Sequence, residues 1–330
     1  MTPRQREDLT LQRSGLKEAL ETDVIVPLMG ATKAGKSSLI NALLGGGQTM
    51  AVGNRMVSCT QDISAVALER VPSKFKESQA INALLRGRRI VLVDTPGFDD
   101  TTMPDSAVLI RIAKWLESSY RKGMTVGGVL YLHDITQGAW GGSAKRNLHL
   151  FSKICGEEAM NQVSFVTTKW TEVGNIRTAT ERAQELGQDH WGEMRKLGAK
   201  LHHLVENPSI DTPNLRPQVD GSRVESPWAI IHSLVMTMHL RDTILLIQDE
   251  LVNKKRFILE SGAGRALRTS LKELLKEAKR LRAEAMSEAG NDEAKISLQA
   301  RQEEVVKIME QLARLKPSLG DRVRRFFAIA

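Results

Sequence analysis

One octapeptide constrains this chain more than anything else in it. Gly30-Ala31-Thr32-Lys33-Ala34-Gly35-Lys36-Ser37 sets two glycines five residues apart and closes on a lysine and a hydroxyl. An apolar run at residues 24–29 precedes it and reads as a buried strand. Ser38 opens the run at residues 38–44, which reads as a helix stopped by Gly45-Gly46-Gly47. Strand, tight loop and helix in this order call for an α/β fold with a doubly wound, mostly parallel sheet. Gly30 and Gly35 let the main chain wrap closely, so that N–H groups from Thr32 through Ser38 can face anionic oxygens. The positive end of the helix adds to that field.

The spacing is G-x-x-x-x-G-K-[ST], in which the lysine reaches the β- and γ-phosphates of a nucleotide and the hydroxyl ligates Mg²⁺. That assigns Lys36 to the phosphates and Ser37 to the metal. Lys33 sits inside the loop, where many chains with this motif have glycine. It either stabilises charge building on the phosphates or points into solvent; the second reading is preferred, because an ammonium is a poor substitute for a planar guanidinium.

Thr60 lies 23 residues beyond Ser37, ahead of an expected strand at residues 63–68. A threonine there can complete the Mg²⁺ shell and sense the γ-phosphate; Thr49 and Ser58 are the alternatives. Residues 90–93 form another apolar run and lead into Asp94-Thr95-Pro96-Gly97. Asp94, at the strand end, is suited to hold Mg²⁺, and the Gly97 amide to meet the γ-phosphate. Phe98 follows, where a water-orienting glutamine would serve hydrolysis, and a phenylalanine cannot do that work. Unaided hydrolysis is therefore expected to be slow.

Further on, residues 106–121 read as a helix with Trp115 half-packed. Residues 127–132 read as a buried strand, and residues 143–154 as a helix capped by Ser143. Trp140, in the loop between, is either a partner contact or a loop anchor. His133 is a structural histidine or a polar group near the site. Residues 163–168 form the next strand and end in Thr168-Lys169-Trp170-Thr171. In [NT]-K-x-D the lysine covers a guanine base and the aspartate accepts two N–H groups. Thr171 stands in the aspartate's place and cannot supply a bidentate acceptor, so guanine preference is expected to weaken. Residues 198–205 read as the last strand. Asn207 beyond it is the candidate for touching the base from the far side, and the adjacent His202 and His203 face opposite ways.

These motifs in this order resemble the translation-factor class of P-loop GTPases. Asp94-Thr95-Pro96-Gly97 with a hydrophobic follower is similar to the septin, plastid-import and immunity-associated group. Gly128-Val129-Leu130-Tyr131-Leu132-His133, Arg146-Asn147-Leu148, Ile154-Cys155-Gly156 and Val166-Thr167-Thr168-Lys169-Trp170-Thr171-Glu172-Val173 resemble a set of fungal G-domain proteins. The resemblance covers residues 20–260 and implies GTP or GDP with Mg²⁺, slow hydrolysis, and homodimers that meet through their G domains across the nucleotide. Members usually carry aspartate where this chain has Thr171.

Charge and periodicity set the remaining organisation. Residues 251–330 hold 18 Lys and Arg against 11 Asp and Glu, while residues 1–250 hold 29 against 28. The basic character therefore belongs to the tail, which argues against a nucleic-acid cleft in the nucleotide domain and leaves an acidic protein surface or an anionic membrane as the tail's partner. Three parts are expected: an arm at 1–22, a P-loop G domain at 23–250, and a basic helical extension at 251–330. In the extension, Leu267, Leu271, Leu274, Ala278, Leu281 and Ala285 recur at coiled-coil spacing. Leu298, Val305, Met309 and Leu312 resume a stripe after Gly290-Asn291-Asp292, so a helical hairpin is preferred to one long rod. The basic, apolar end at residues 322–329 is either a weak membrane contact or a docked terminus. Two cysteines, Cys59 and Cys155, give no disulfide framework, and no run of 18 apolar residues exists. A reducing, cytoplasmic setting is expected, with peripheral membrane contact the one departure considered.

Overall fold

A computed structural model describes residues 20–44, 63–68, 71, 73, 77–100, 103–138, 140–205, 224–238, 244–287 and 292–316. Thr49, Ser58, Thr60, Asn207, most of the 1–22 arm and the basic end at 322–329 lie outside the described residues.

The chain opens with strand β1 (Val24–Gly30) and helix α1 (Lys36–Leu43), then β2 (Ser64–Leu68), α2 (Ser78–Leu85), β3 (Ile90–Asp94) and α3 (Asp105–Arg121). Next come β4 (Thr125–Val126), β5 (Val129–Asp134), α4 (Gly142–Cys155), β6 (Val163–Thr168) and α5 (Ile176–Glu185). The short α6 (Gly192–Lys196), β7 (Lys200–Leu204), β8 (Val224–Glu225) and α7 (Pro227–Met238) close the sheet region. A turn of helix, α8 (Leu246–Gln248), leads to α9 (Gly262–Ser287) and α10 (Asp292–Arg314).

The sheet runs β2-β3-β1-β5-β6-β7-β8, with β4 beside β1. Every pairing is parallel except β2 with β3, which is antiparallel at the edge. This is a mixed, mostly parallel sheet followed by C-terminal helices, the α/β arrangement expected from the sequence. Period-two alternation divides the strands between two cores. Val24, Val26, Leu28, Leu130, Leu132, Val166 and Leu204 join Leu39, Ile40, Ile81, Trp228 and Leu234 on one face. Ile25, Met29, Val129, Tyr131, Val163 and Phe165 join Ile112, Leu116, Phe151, Leu267 and Leu271 on the other.

The strand expected over residues 127–132 begins later, at Val129. Gly127 and Gly128 belong to no strand and separate β4 from β5 along the same flank of β1. A Cβ on Gly127 would stand 2.3 Å from Val24 Cγ1, and one on Gly128, where φ is +148°, 2.6 Å from Leu234. The break lets α7 sit directly on the sheet, which strand periodicity does not reveal. The Ser143 cap is also corrected: α4 begins at Gly142 with Gly141 in the cap position and no side-chain cap bond, so Ser143 lies within the first turn.

At the strand end far from the loop, Asp23 is fully buried and paired with Arg89 at 2.8 Å, joining the starts of β1 and β3. His202 pairs with Glu225 on β8, while His203 Nδ1 meets Thr167 Oγ1 at 2.7 Å on the opposite side. Ser226 caps α7, accepting from the Ala229 N–H at 3.2 Å. Trp140 is a loop anchor: it stacks on His190 at 4.7 Å and packs edge-on to Trp191. His133 lies against both tryptophans, and burial lowers its pKa from 6.5 to about 4.

The extension folds as a hairpin. Helices α9 and α10 pack on each other, and α9 also packs on α4 and α3. Leu267, Leu271 and Ala278 are buried, as are Val305 and Ile308 on α10 and Leu315 just beyond it. Met309 is 53% exposed, so Ile308 takes the inward position expected of it. Glu250 fixes the start of α9, accepting from the Gly262 N–H at 2.8 Å and from Arg256 at 2.6 Å.

Candidate functional site

The loop lies where β1, β3, β5 and β6 end together. Gly30 has φ +135°, and a Cβ there would stand 2.3 Å from the Leu132 carbonyl oxygen of the neighbouring strand. Gly35, at φ +88°, is the cap residue of α1. Lys33 also has a left-handed backbone, at φ +66°, and its side chain is exposed. Both glycines and the lysine turn are thus set by the tightness of the loop. Ala34 is buried beneath it, and Ser38 is half-buried in the first turn of α1.

Lys36 is the centre of the arrangement. It is 6% exposed and donates to the main-chain carbonyls of Gly30 at 3.2 Å and Ala31 at 2.8 Å. Burial pushes its pKa down from 10.5 to about 8, with Asp94 and then Asp100 opposing the shift. Ser37 Oγ donates to Asp94 Oδ2 at 2.5 Å, although 57 residues separate them. Asp94 is 1% exposed at the end of β3.

The segment after Asp94 is tied down on both sides. Thr95 Oγ1 donates to the Leu28 carbonyl at 2.7 Å. The Thr32 N–H donates to the Phe98 carbonyl at 3.1 Å, and Ala31 and Phe98 form a parallel bridge, so this segment adds a rung to the loop. Gly97 is pressed against that rung: a Cβ there would stand 2.4 Å from Thr32 N. The Thr32 hydroxyl is buried and makes no hydrogen bond. Phe98 is fully buried in the core. Asp99 follows with φ +60°; its carboxylate accepts from Asn147 Nδ2 at 2.6 Å, and its N–H donates to Asp105 at 3.1 Å. Burial raises the Asp105 carboxyl.

Across the loop, Thr168 Oγ1 donates to the Ala34 carbonyl at 3.0 Å, so its hydroxyl braces the loop from the end of β6. Lys169, at φ +61°, donates to Asp134 Oδ2 at 2.5 Å. Burial alone would raise the Asp134 carboxyl, but hydrogen bonds from Lys169 and Thr136 outweigh it and hold the group below the usual carboxylate range. Trp170 is buried and donates to Thr167 Oγ1 at 2.8 Å, leaving Thr171 and Glu172 exposed.

The structure therefore brings Gly30, Thr32, Gly35, Lys36, Ser37, Asp94, Gly97, Thr168 and Lys169 to one end of the sheet. The Phe98 bridge, the Asp99–Asn147 bond and the Asp134–Lys169 pair were not foreseen; they join residues 35 to 67 positions apart with no local signature.

The donor set fits a nucleotide with Mg²⁺. Ser37 and Asp94 offer two adjacent hard oxygens. The loop offers main-chain N–H groups and an ammonium that has no carboxylate within ion-pair distance among the described residues.

One family model matches part of the chain. Residues 25–169 match the model of a family described as 50S ribosome-binding GTPase. No curated protein matches the chain. Toc33 from Arabidopsis thaliana in complex with GDP and Mg²⁺ is 15% identical, covering 68% of this chain and 87% of that one at a TM-score of 0.48. A structure on dimerization and GTPase activity of the chloroplast translocon components atToc33 and psToc159 is 15% identical over 67% and 84%, at 0.46. Aquifex aeolicus Era bound to GDP and AlF4⁻ is 18% identical over 54% and 50%, at 0.35. The loop, Asp94–Gly97 and Thr168–Lys169 all fall within the segment that the GTPase family model matches.

Proposed function

We propose that this chain is a Mg²⁺-dependent guanine-nucleotide-binding protein that hydrolyses GTP slowly and works as a switch or a dimerising assembly module. The observation that carries the reading is Lys36: a buried ammonium that donates to two main-chain carbonyls of the loop. A desolvated cation hydrogen-bonded to neutral carbonyls is costly, and a polyphosphate would supply it with a direct anionic partner.

Ser37 and Asp94 would hold Mg²⁺, which supplies charge neutralisation across the β- and γ-phosphates when bound. Lys36 binds the same oxygens from the loop side. The Gly97 amide stands beside Thr32, where it can report on the γ-phosphate. Lys169, held by Asp134, is the residue whose stem would cover the base. Thr168 acts through the loop that it braces. Thr60 remains the candidate for completing the metal shell, and Asn207 for the far side of the base. Lys33, exposed in this state, is free to swing onto a phosphate only with a partner over it.

Phe98 is buried, so it positions no water. Turnover then depends on a group supplied from outside the site, which favours G domains meeting across the nucleotide, as the sequence resemblance implies. Two measurements test this. GTP and ATP compete for the purified protein; equal affinities would remove the guanine assignment, and exposed Thr171 is the reason to ask. Single-turnover hydrolysis is followed in dilute and concentrated protein; a rate that does not rise with concentration would leave a binding module without G-domain activation.

A further inference from the structure

We propose that the outer face of α9 is a docking surface for an anionic lipid membrane. The surface is distinct from the nucleotide site and does not depend on that reading.

The argument begins with how charge is distributed around this helix. Leu267, Leu271 and Ala278 turn inward and are buried. On the outside, Arg268, Lys272, Lys276 and Lys279 are all exposed. At 100° per residue they fall within an arc of roughly 80° and run about 16 Å along the axis. Glu273, Glu277 and Glu284 fall on a separate arc, where Arg280 bridges Glu277 at 2.5 Å and also pairs with Glu284. The carboxylates of α9 are thus gathered around Arg280. None of the four outer cations has an ion-pair partner among the described residues.

Local helix physics does not ask for this segregation. Arg268, Lys272 and Lys276 are consecutive i,i+4 neighbours of like charge, and Lys279 is i+3 from Lys276; such pairs weaken a helix. Interleaving the same residues would turn the repulsions into ion pairs. The row suits an extended, negatively charged surface.

Three observations select a lipid surface as the occupant. The row lies on the exposed side of a 26-residue helix, and the small cavity beside α9 is on its inner side, lined in part by Asp105, Asn147, Leu267 and Leu271. The four side chains have long aliphatic stems that let a charged head stay at an interface. Met286, 57% exposed, continues the same azimuth beyond Lys279 and offers an apolar group at the end of the row. Each cation near an anionic leaflet strengthens binding roughly fivefold, so the row predicts reversible, salt-sensitive association.

The test is co-sedimentation of the full chain with phosphatidylcholine vesicles, with and without phosphatidylserine. Binding is expected only with phosphatidylserine and should fall as salt is raised. Lys272→Gln with Lys276→Gln should weaken it roughly 25-fold, two cations at fivefold each. Arg268→Gln with Lys279→Gln is a second, independent pair with the same expectation. Lys114→Gln with Lys145→Gln removes the same charge from exposed positions on α3 and α4 and should leave binding unchanged. Equal losses in all three variants would overturn the proposal in favour of net charge. No loss in either α9 variant would overturn it in favour of another segment. Retention of duplex RNA or of an acidic protein by α9, with no vesicle binding, would overturn it as well.

Discussion

Gly97→Ala is the sharpest probe of how the loop and the segment after Asp94 are joined. The added Cβ would lie 2.4 Å from Thr32 N and 2.6 Å from both Thr32 Cα and Thr32 Oγ1. Two of those three atoms are main chain, and their position is fixed by the Thr32–Phe98 hydrogen bond and the adjoining Ala31–Phe98 bridge. Relief therefore requires separating the two segments. Overpacking of this kind costs about 1–3 kcal/mol, and losing the hydrogen bond costs about 1 kcal/mol more, so a total of about 2–4 kcal/mol is expected. Urea unfolding without nucleotide measures it. GTP affinity, followed with a fluorescent analogue, should fall alongside because the Gly97 amide is displaced. Thr32→Gly in the Gly97→Ala background removes the 2.6 Å contact with Oγ1 but leaves the backbone contacts, so it should rescue only in part. An unchanged unfolding midpoint, or full rescue by Thr32→Gly, would refute the backbone argument.

Other outcomes follow from single groups. Lys36→Met should abolish nucleotide binding yet stabilise the nucleotide-free protein, because it removes a desolvated charge. The folded pKa of about 8 lies below the ordinary 10.5, so wild-type stability should rise by up to about 3 kcal/mol between those two pH values, and the variant should lack that rise in pH-dependent denaturation. His133 titrates at about 4 when folded against 6.5 when unfolded, so stability should fall as pH drops through that interval; His133→Phe should flatten the profile. Arg89→Met leaves Asp23 buried without its cation and should cost about 3–5 kcal/mol by thermal or urea unfolding, with nucleotide affinity unchanged in the folded fraction.

Much of the candidate site was legible in order along the chain. A loop whose glycines, lysine and hydroxyl are to wrap a phosphate has its spacing fixed, and so has the Asp94–Gly97 turn at a strand end. Thr168 and Lys169 were recognisable for the same reason. The G-domain sheet followed from apolar runs of strand length between helical stretches, since a strand buried on both faces has no other composition open to it. Boundaries set by neighbours were not legible. Gly127 and Gly128 read as part of a strand until α7 is seen against them, and Met309 reads as seam until the hairpin turns Ile308 inward. Residues 186–196, with the turn that carries His190 and Trp191, have no strong periodicity; their place is set by stacking on Trp140 and Phe165.

What the sequence determined by itself was chemistry dictated over a few consecutive residues: which groups are suited to meet phosphate, which strand ends carry them, and that Phe98 cannot orient water. What tertiary structure alone decided was the company those groups keep. The 2.5 Å approach of Ser37 to Asp94, the capture of Lys169 by Asp134 and the seating of Asp99 on Asn147 each depend on how strands are ordered in the sheet. Strand order is a property of the whole chain's packing, because pairing partners are chosen by the combined burial of both faces and no short window contains that sum.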